Sequence, residues 1–127
     1  MLIIDEKFDD QTYTGQELSR GGYDNCTFDN CHFEQADLAG INFTECNFTM
    51  CHFGNATLDN VGFKNVVFEG CNFLGTDFTN CSTFLLKMSF DKLDKRLYRK
   101  GPSDSTVNWQ AIVQSINLSD IEIMTIF

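Results

Sequence analysis

Large apolar residues recur at every fifth position of this chain. From Leu18 the series runs through Tyr23, Phe28, Phe33, Leu38, Phe43, Phe48, Phe53, Leu58, Phe63, Phe68, Phe73 and Phe78, and Phe8 and Tyr13 hold the same phase upstream. Two residues before these centres comes a second series. It opens with Gln16 and Gly21 and then becomes small or β-branched throughout: Cys26, Cys31, Ala36, Ile41, Cys46, Cys51, Ala56, Val61, Val66, Cys71, Thr76 and Cys81. The other three positions of each five are mostly Asp, Asn, Thr, Gly, Glu and His. A period of five is neither the 3.6 of a packed helix nor the 2 of a half-buried strand. It predicts a chain that turns a corner every five residues, with two side chains per side facing inward and three near solvent. One turn of such a chain cannot bury its own centres, so successive turns must stack as a solenoid.

A longer period sets the number of sides. Leu18, Leu38 and Leu58 align at a spacing of twenty, as do Cys31, Cys51 and Cys71, Ala36 and Ala56, and His32 and His52. Twenty residues are four fives, which gives a four-sided turn with like residues stacked about 4.8 Å apart.

The ends depart from this pattern. Leu2, Ile3 and Ile4 are expected to form a strand covering the first turn. The segment Ser82-Thr83-Phe84-Leu85-Leu86 breaks phase, and Phe90, with Met88 two before it, is read as one displaced repeat. Phe90, Leu93 and Leu97 then have helical spacing, and Gly101-Pro102 is a break. Ser105 and Thr106 are candidate caps for a second helix, whose apolar face would comprise Trp109, Ile112, Val113 and Ile116. Ile121, Ile123 and Ile126 would close the chain as an extended strand. The predicted organisation is therefore an N-terminal cap with irregular first repeats over 1–15, a regular coil over 16–81, and a degenerate repeat with a helical cap or tail over 82–127.

Composition adds function classes to exclude. The formal net charge of −9 over 127 residues argues against direct nucleic-acid binding, which needs clustered Lys and Arg. No basic n-region opens the chain and no apolar run approaches the ~20 residues of a membrane span, so a cytoplasmic protein is expected. All six cysteines occupy the small inward position, where reduced core thiols are expected rather than disulfides or zinc ligands. His32 and His52 follow two of these cysteines and should stack on the outside. A metal site there would need a third ligand, and the next aligned residue is Asn72. No cofactor, metal or catalytic constellation is read from the chain, and no enzyme activity is expected.

Ala36-Asp37-Leu38, Cys46-Asn47-Phe48, Cys71-Asn72-Phe73 and Thr76-Asp77-Phe78 each follow one formula: a small residue, Asp or Asn, then Leu or Phe. On these motifs the chain resembles the pentapeptide-repeat family, strongly over 16–81 and weakly over 6–15. The resemblance implies an all-β solenoid, a right-handed quadrilateral parallel β-helix, here expected to carry a C-terminal helical cap. Its Phe- and Cys-rich character is most similar to the Qnr-like, quinolone-resistance branch, whose members protect type II topoisomerases.

The carboxylates give that implication a physical form. Residues 16–81 carry nine carboxylates against Arg20 and Lys64. Over a coil roughly 16 Å tall this is one carboxylate per ~1.8 Å, close to the ~1.7 Å per charge of B-form DNA. Glu17, Asp37, Asp59 and Asp77 fall on one side of the coil and are the expected electrostatic contacts to a basic groove on DNA gyrase or topoisomerase IV. The same carboxylates also serve simple solubility. A scaffolding or dimerisation module, with a homodimer formed through Trp109 and Ile112, is the alternative reading.

Overall fold

The computed structural model describes residues 1–14, 18–73, 75–78, 80–91 and 121–126. Two parallel sheets carry the regular hydrogen bonding. The first contains β1 (Leu2–Ile4), β3 (Gly22–Asp24), β5 (Asn42–Thr44), β7 (Gly62–Lys64) and β9 (Ser82–Phe84), stacked in that order. The second contains β2 (Lys7–Asp9), β4 (Thr27–Asp29), β6 (Asn47–Thr49), β8 (Val67–Glu69), β10 (Leu86–Asp91) and β11 (Ile121–Ile126). Each of the pairs from β1 to β9, and β8 with β10, joins residues twenty apart: Phe28 over Phe48, Phe43 over Phe63, Phe48 over Phe68. The expected four-sided turn is therefore the observed one.

The remaining two sides are less extended. On the third, single bridges link Thr12, His32, His52 and Asn72 in a column; on the fourth, one links Asp37 to Thr57. Corners after these sides close as four-residue turns, as in Ala36 N–H to Phe33 O at 2.9 Å and Val61 N–H to Leu58 O at 3.1 Å. The third residue of such a turn needs positive φ, and Gln35, Asn55 and Asn60 have φ of 58°, 56° and 59°.

Both inward series are buried. The centres from Leu18 to Phe78 and the small residues from Cys26 to Thr76 form one core. Aromatic rings stack along the coil axis in ladders. Phe8, Phe28 and Phe48 lie 4.7 Å apart at 7–8° to one another, and Phe33 sits 4.9 Å from Phe53. Adjacent ladders meet edge-on, as Phe48 does with Phe53 at 68°.

The coil extends past both ends of the regular sequence repeat. Ile3 pairs with Tyr23 and Phe8 with Phe28, so the N-terminal strand is itself the first turn. Downstream, the expected break in phase at 82–86 does not occur: Thr83 pairs with Phe63 and Met88 with Phe68. Leu86, 1% exposed, fills the small inward position. Phe90 is therefore not a repeat centre, and it lies in β10 rather than on a helix. The register survives because the backbone carries it: Ser82 N–H donates to Val61 O at 2.9 Å and Asn65 N–H to Phe84 O at 2.8 Å, whatever the side chain at the centre. The final strand is where the isoleucine pattern placed it, with β11 parallel to β10. The segment predicted to be helical, with Trp109, Ile112, Val113 and Ile116, lies outside the described residues.

Candidate functional site: acidic rows on opposite sides of the coil

The five-residue side sets where each carboxylate points. The residue before a centre and the residue after it both face outward, so each side presents two parallel rows. On the fourth side the first row holds Asp37, Thr57 and Asp77, and the second holds Ser19, Ala39 and Asp59. Asp37, Asp59 and Asp77 are all exposed, as the sequence predicts. They do not form a single line: Asp59 occupies the opposite row, and Thr57 separates Asp37 from Asp77. Glu17 lies outside the described residues.

The site also contains a cation that the sequence pattern did not assign to it. Arg20 sits at the corner of one turn and reaches the next, bonding Asp37 O at 2.8 Å and pairing with Asp37 Oδ2 at 3.2 Å. The Asp37 carboxylate accepts in addition from Ala39 N–H at 3.0 Å, a local turn that fixes its rotamer. Asp59 Oδ1 accepts from Asn80 Nδ2 at 3.4 Å. Asp37 is thus held in place and partly neutralised.

A second acidic row was missed by the sequence reading. Asp9, Asp29, Thr49 and Glu69 follow the aromatic centres of β2, β4, β6 and β8 and stack in register on the second side. The three acids are exposed, with Lys7 4.0 Å from Asp9. Asp29 and Glu69 border a shallow groove that Thr27, Asn47 and Val67 line from the other row. The acids' spacing of twenty and forty was the available signal. At the adjoining corners Asp5 and Asp10 accept from Asn25 and Asn30 at 2.7 and 2.8 Å. The second and fourth sides are opposite faces of the square.

The third side differs in chemistry. His32 and His52 stack face to face with ring centroids 4.7 Å apart, and His32 Nδ1 lies 3.0 Å from Glu34 Oε1. Among the described residues no group of three or more His, Cys, Asp or Glu is placed to hold a metal. The six cysteines are free thiols. Five donate to a carbonyl of the preceding turn, as in Cys46 to Tyr23 O at 3.3 Å and Cys71 to Phe48 O at 3.2 Å. Among the described residues no helix is long and apolar enough to cross a membrane.

Stacked four-sided turns, aromatic ladders within and polar rows without define a β-solenoid. The family model for pentapeptide repeats, in nine copies, matches residues 23–67 and 43–84. Over residues 23–84 the chain carries the repeats of the pentapeptide-repeat family. No curated protein matches it in sequence. Among solved structures its fold is similar to full-length QnrB1, a plasmid-mediated fluoroquinolone resistance protein, at 17% identity and a TM-score of 0.49 over 72% of this chain. A trypsin-treated variant of QnrB1 matches at 17% identity and a TM-score of 0.48 over 73% of the chain. The match spans 62% of the full-length QnrB1 chain and 59% of the variant.

Proposed function

We propose that this protein is a non-catalytic binding solenoid whose acidic sides occupy a basic, DNA-binding groove of a type II topoisomerase, gyrase or topoisomerase IV. The observation that supports this reading is the arrangement of carboxylates in rows at the turn spacing on two opposed sides of one rod. Duplex DNA presents the same elements to a protein: two lines of negative charge on opposite flanks of a stiff cylinder, at a similar axial density. A basic groove shaped for that cylinder gains the same counterion release from either ligand. On the fourth side Asp37, Asp59 and Asp77 carry the contact, with part of the Asp37 charge offset by Arg20. Asp9, Asp29 and Glu69 present charge on the second side.

The test is gyrase supercoiling in the presence of a quinolone. Added protein is expected to restore supercoiling, and Asp59→Lys with Asp77→Lys is expected to weaken the effect at least tenfold. Binding should fall steeply with salt between about 50 and 200 mM, as for a polyanion ligand. Absence of protection at every protein concentration would overturn the reading.

A further inference from the structure

The first side carries a pattern unlike the acidic sides. Reading the row after the centres along the coil axis gives Ile4, Asp24, Thr44, Lys64 and Phe84, each paired in register with the next. The order is apolar, negative, neutral, positive, apolar. Ile4 is 52% exposed and Phe84 50% exposed. Neither Asp24 nor Lys64 forms a side-chain ion pair among the described residues, although Lys7 and Arg20 both do. The neighbouring row is low. It reads Leu2, Gly22, Asn42, Gly62 and Ser82, with Leu2 lying over Gly22 and the Asn42 amide over Gly62.

The row is complementary to its own reverse. A twofold axis along β5 would turn a second copy face to face with the first and invert the order of its turns. Asp24 of each copy would then meet Lys64 of the other, Thr44 would meet Thr44, and Ile4 would meet Phe84. Asn42 would meet Asn42, and Gly22 would face Gly62, which adds no side chain of its own between the two copies. The geometry points to the first side as an isologous contact between two copies of this chain. It uses a face that the acidic sides leave free, so it is independent of the topoisomerase reading.

Size sets the strength. Five strands at ~4.8 Å and three residues at ~3.3 Å give a face of about 24 by 10 Å. Two such faces bury well under the ~1,200 Å² of a stable complex. The dimer is therefore weak and forms with rising concentration, and its two ion pairs select the register rather than supplying most of the affinity.

Sedimentation velocity from about 10 µM to 1 mM tests it. The weight-average mass of the native chain is expected to rise toward twice that of the species present at 10 µM, and less so in high salt. Asp24→Lys alone and Lys64→Asp alone should each abolish the rise, because each leaves like charges facing. Mixing these two variants should restore it, since one copy then carries lysine at both positions and the other carries aspartate at both, so that opposite charges face each other on both flanks. Both positions face outward, and far-ultraviolet circular dichroism of each variant checks that the coil is intact. A native chain with constant mass up to 1 mM overturns the proposal. So does a rise that either single reversal leaves unchanged, or a mixture that associates no better than its parts.

Discussion

At the scale of single residues, the corners decide how the coil turns. Two residues after nearly every centre the backbone enters the left-handed region: Asp5, Asp10, Asn25, Asn30, Asn55, Asn60 and Asn65 all have φ between 53° and 59°. Asn, Asp and Gly tolerate that conformation; other L-residues lose about 1–2 kcal/mol there. Gln35, Glu45, Met50 and Leu85 adopt it nonetheless, with φ of 52–58°. Hydrogen bonds between turns hold Gln35, Glu45 and Met50, as in Met50 N–H to Glu69 O at 2.8 Å. Met50 is half exposed, so its side chain offsets little of the cost. Met50→Asn is expected to raise the unfolding free energy by about 0.5–1 kcal/mol. Asn55→Val, which places a β-branched residue at φ 56°, should lower it by about 1–2 kcal/mol. Urea titration measures both, and a Met50→Asn protein less stable than the parent would contradict the account. The enrichment of Asn, Asp and Gly at this position was present in the sequence, but the four exceptions obscured it.

At the scale of the element, each side is a rung in two ladders, one aromatic and one small. Phe48 stacks on Phe28 at 4.7 Å and on Phe68 at 5.0 Å, and meets Phe33, Phe43 and Phe53 edge-on. Each such pair contributes roughly 0.5–1.5 kcal/mol beyond burial. Phe48→Ala should therefore cost about 3–5 kcal/mol, while Thr49→Ala, one residue on and facing out, should stay within about ±0.5 kcal/mol. Equal losses in thermal or urea unfolding would contradict the assignment of inner and outer positions. This part of the fold was legible because packing itself imposes the periods of five and twenty. The turn containing Thr83 and Met88 was not. There the hydrogen bonds of the backbone keep the register without a large aromatic at the centre, and a hydrophobic pattern cannot report backbone bonds. The pairing of Arg20 with Asp37 was hidden for a related reason: it joins residues seventeen apart across a corner, off the twenty-residue repeat.

At the scale of the molecule, the same packing that excludes water also fixes how stability responds to pH. Four inward thiols, Cys31, Cys46, Cys51 and Cys81, and the phenols of Tyr13 and Tyr23 hold their protons more tightly than in water. Burial pushes Cys46 up to about 11 and Cys81 up to about 12 from an ordinary 9.0, and Tyr13 up to about 12 from an ordinary 10.0. Cys31 is raised as well, first by its hydrogen bond with Cys51 and then by burial. Every one of these groups binds its proton more tightly folded than unfolded. Their contribution is thus complete below the unfolded values and is lost as pH rises through the folded ones, because the unfolded chain ionises first. Stability should be flat with respect to these groups up to about pH 8, then fall across pH 9–12, over the range in which the carboxylates on the outer rows no longer titrate. Replacing Cys46 by Ser removes one thiol from the balance. The inward series already accepts a hydroxyl, as Thr76 shows by donating to Phe53 O at 2.7 Å. Cys46→Ser should therefore unfold with a shallower decline above pH 9, a difference that urea midpoints at pH 7.5 and pH 10.5 would measure. Identical declines in the two proteins would mean that the thiol at position 46 ionises as readily inside the coil as outside it.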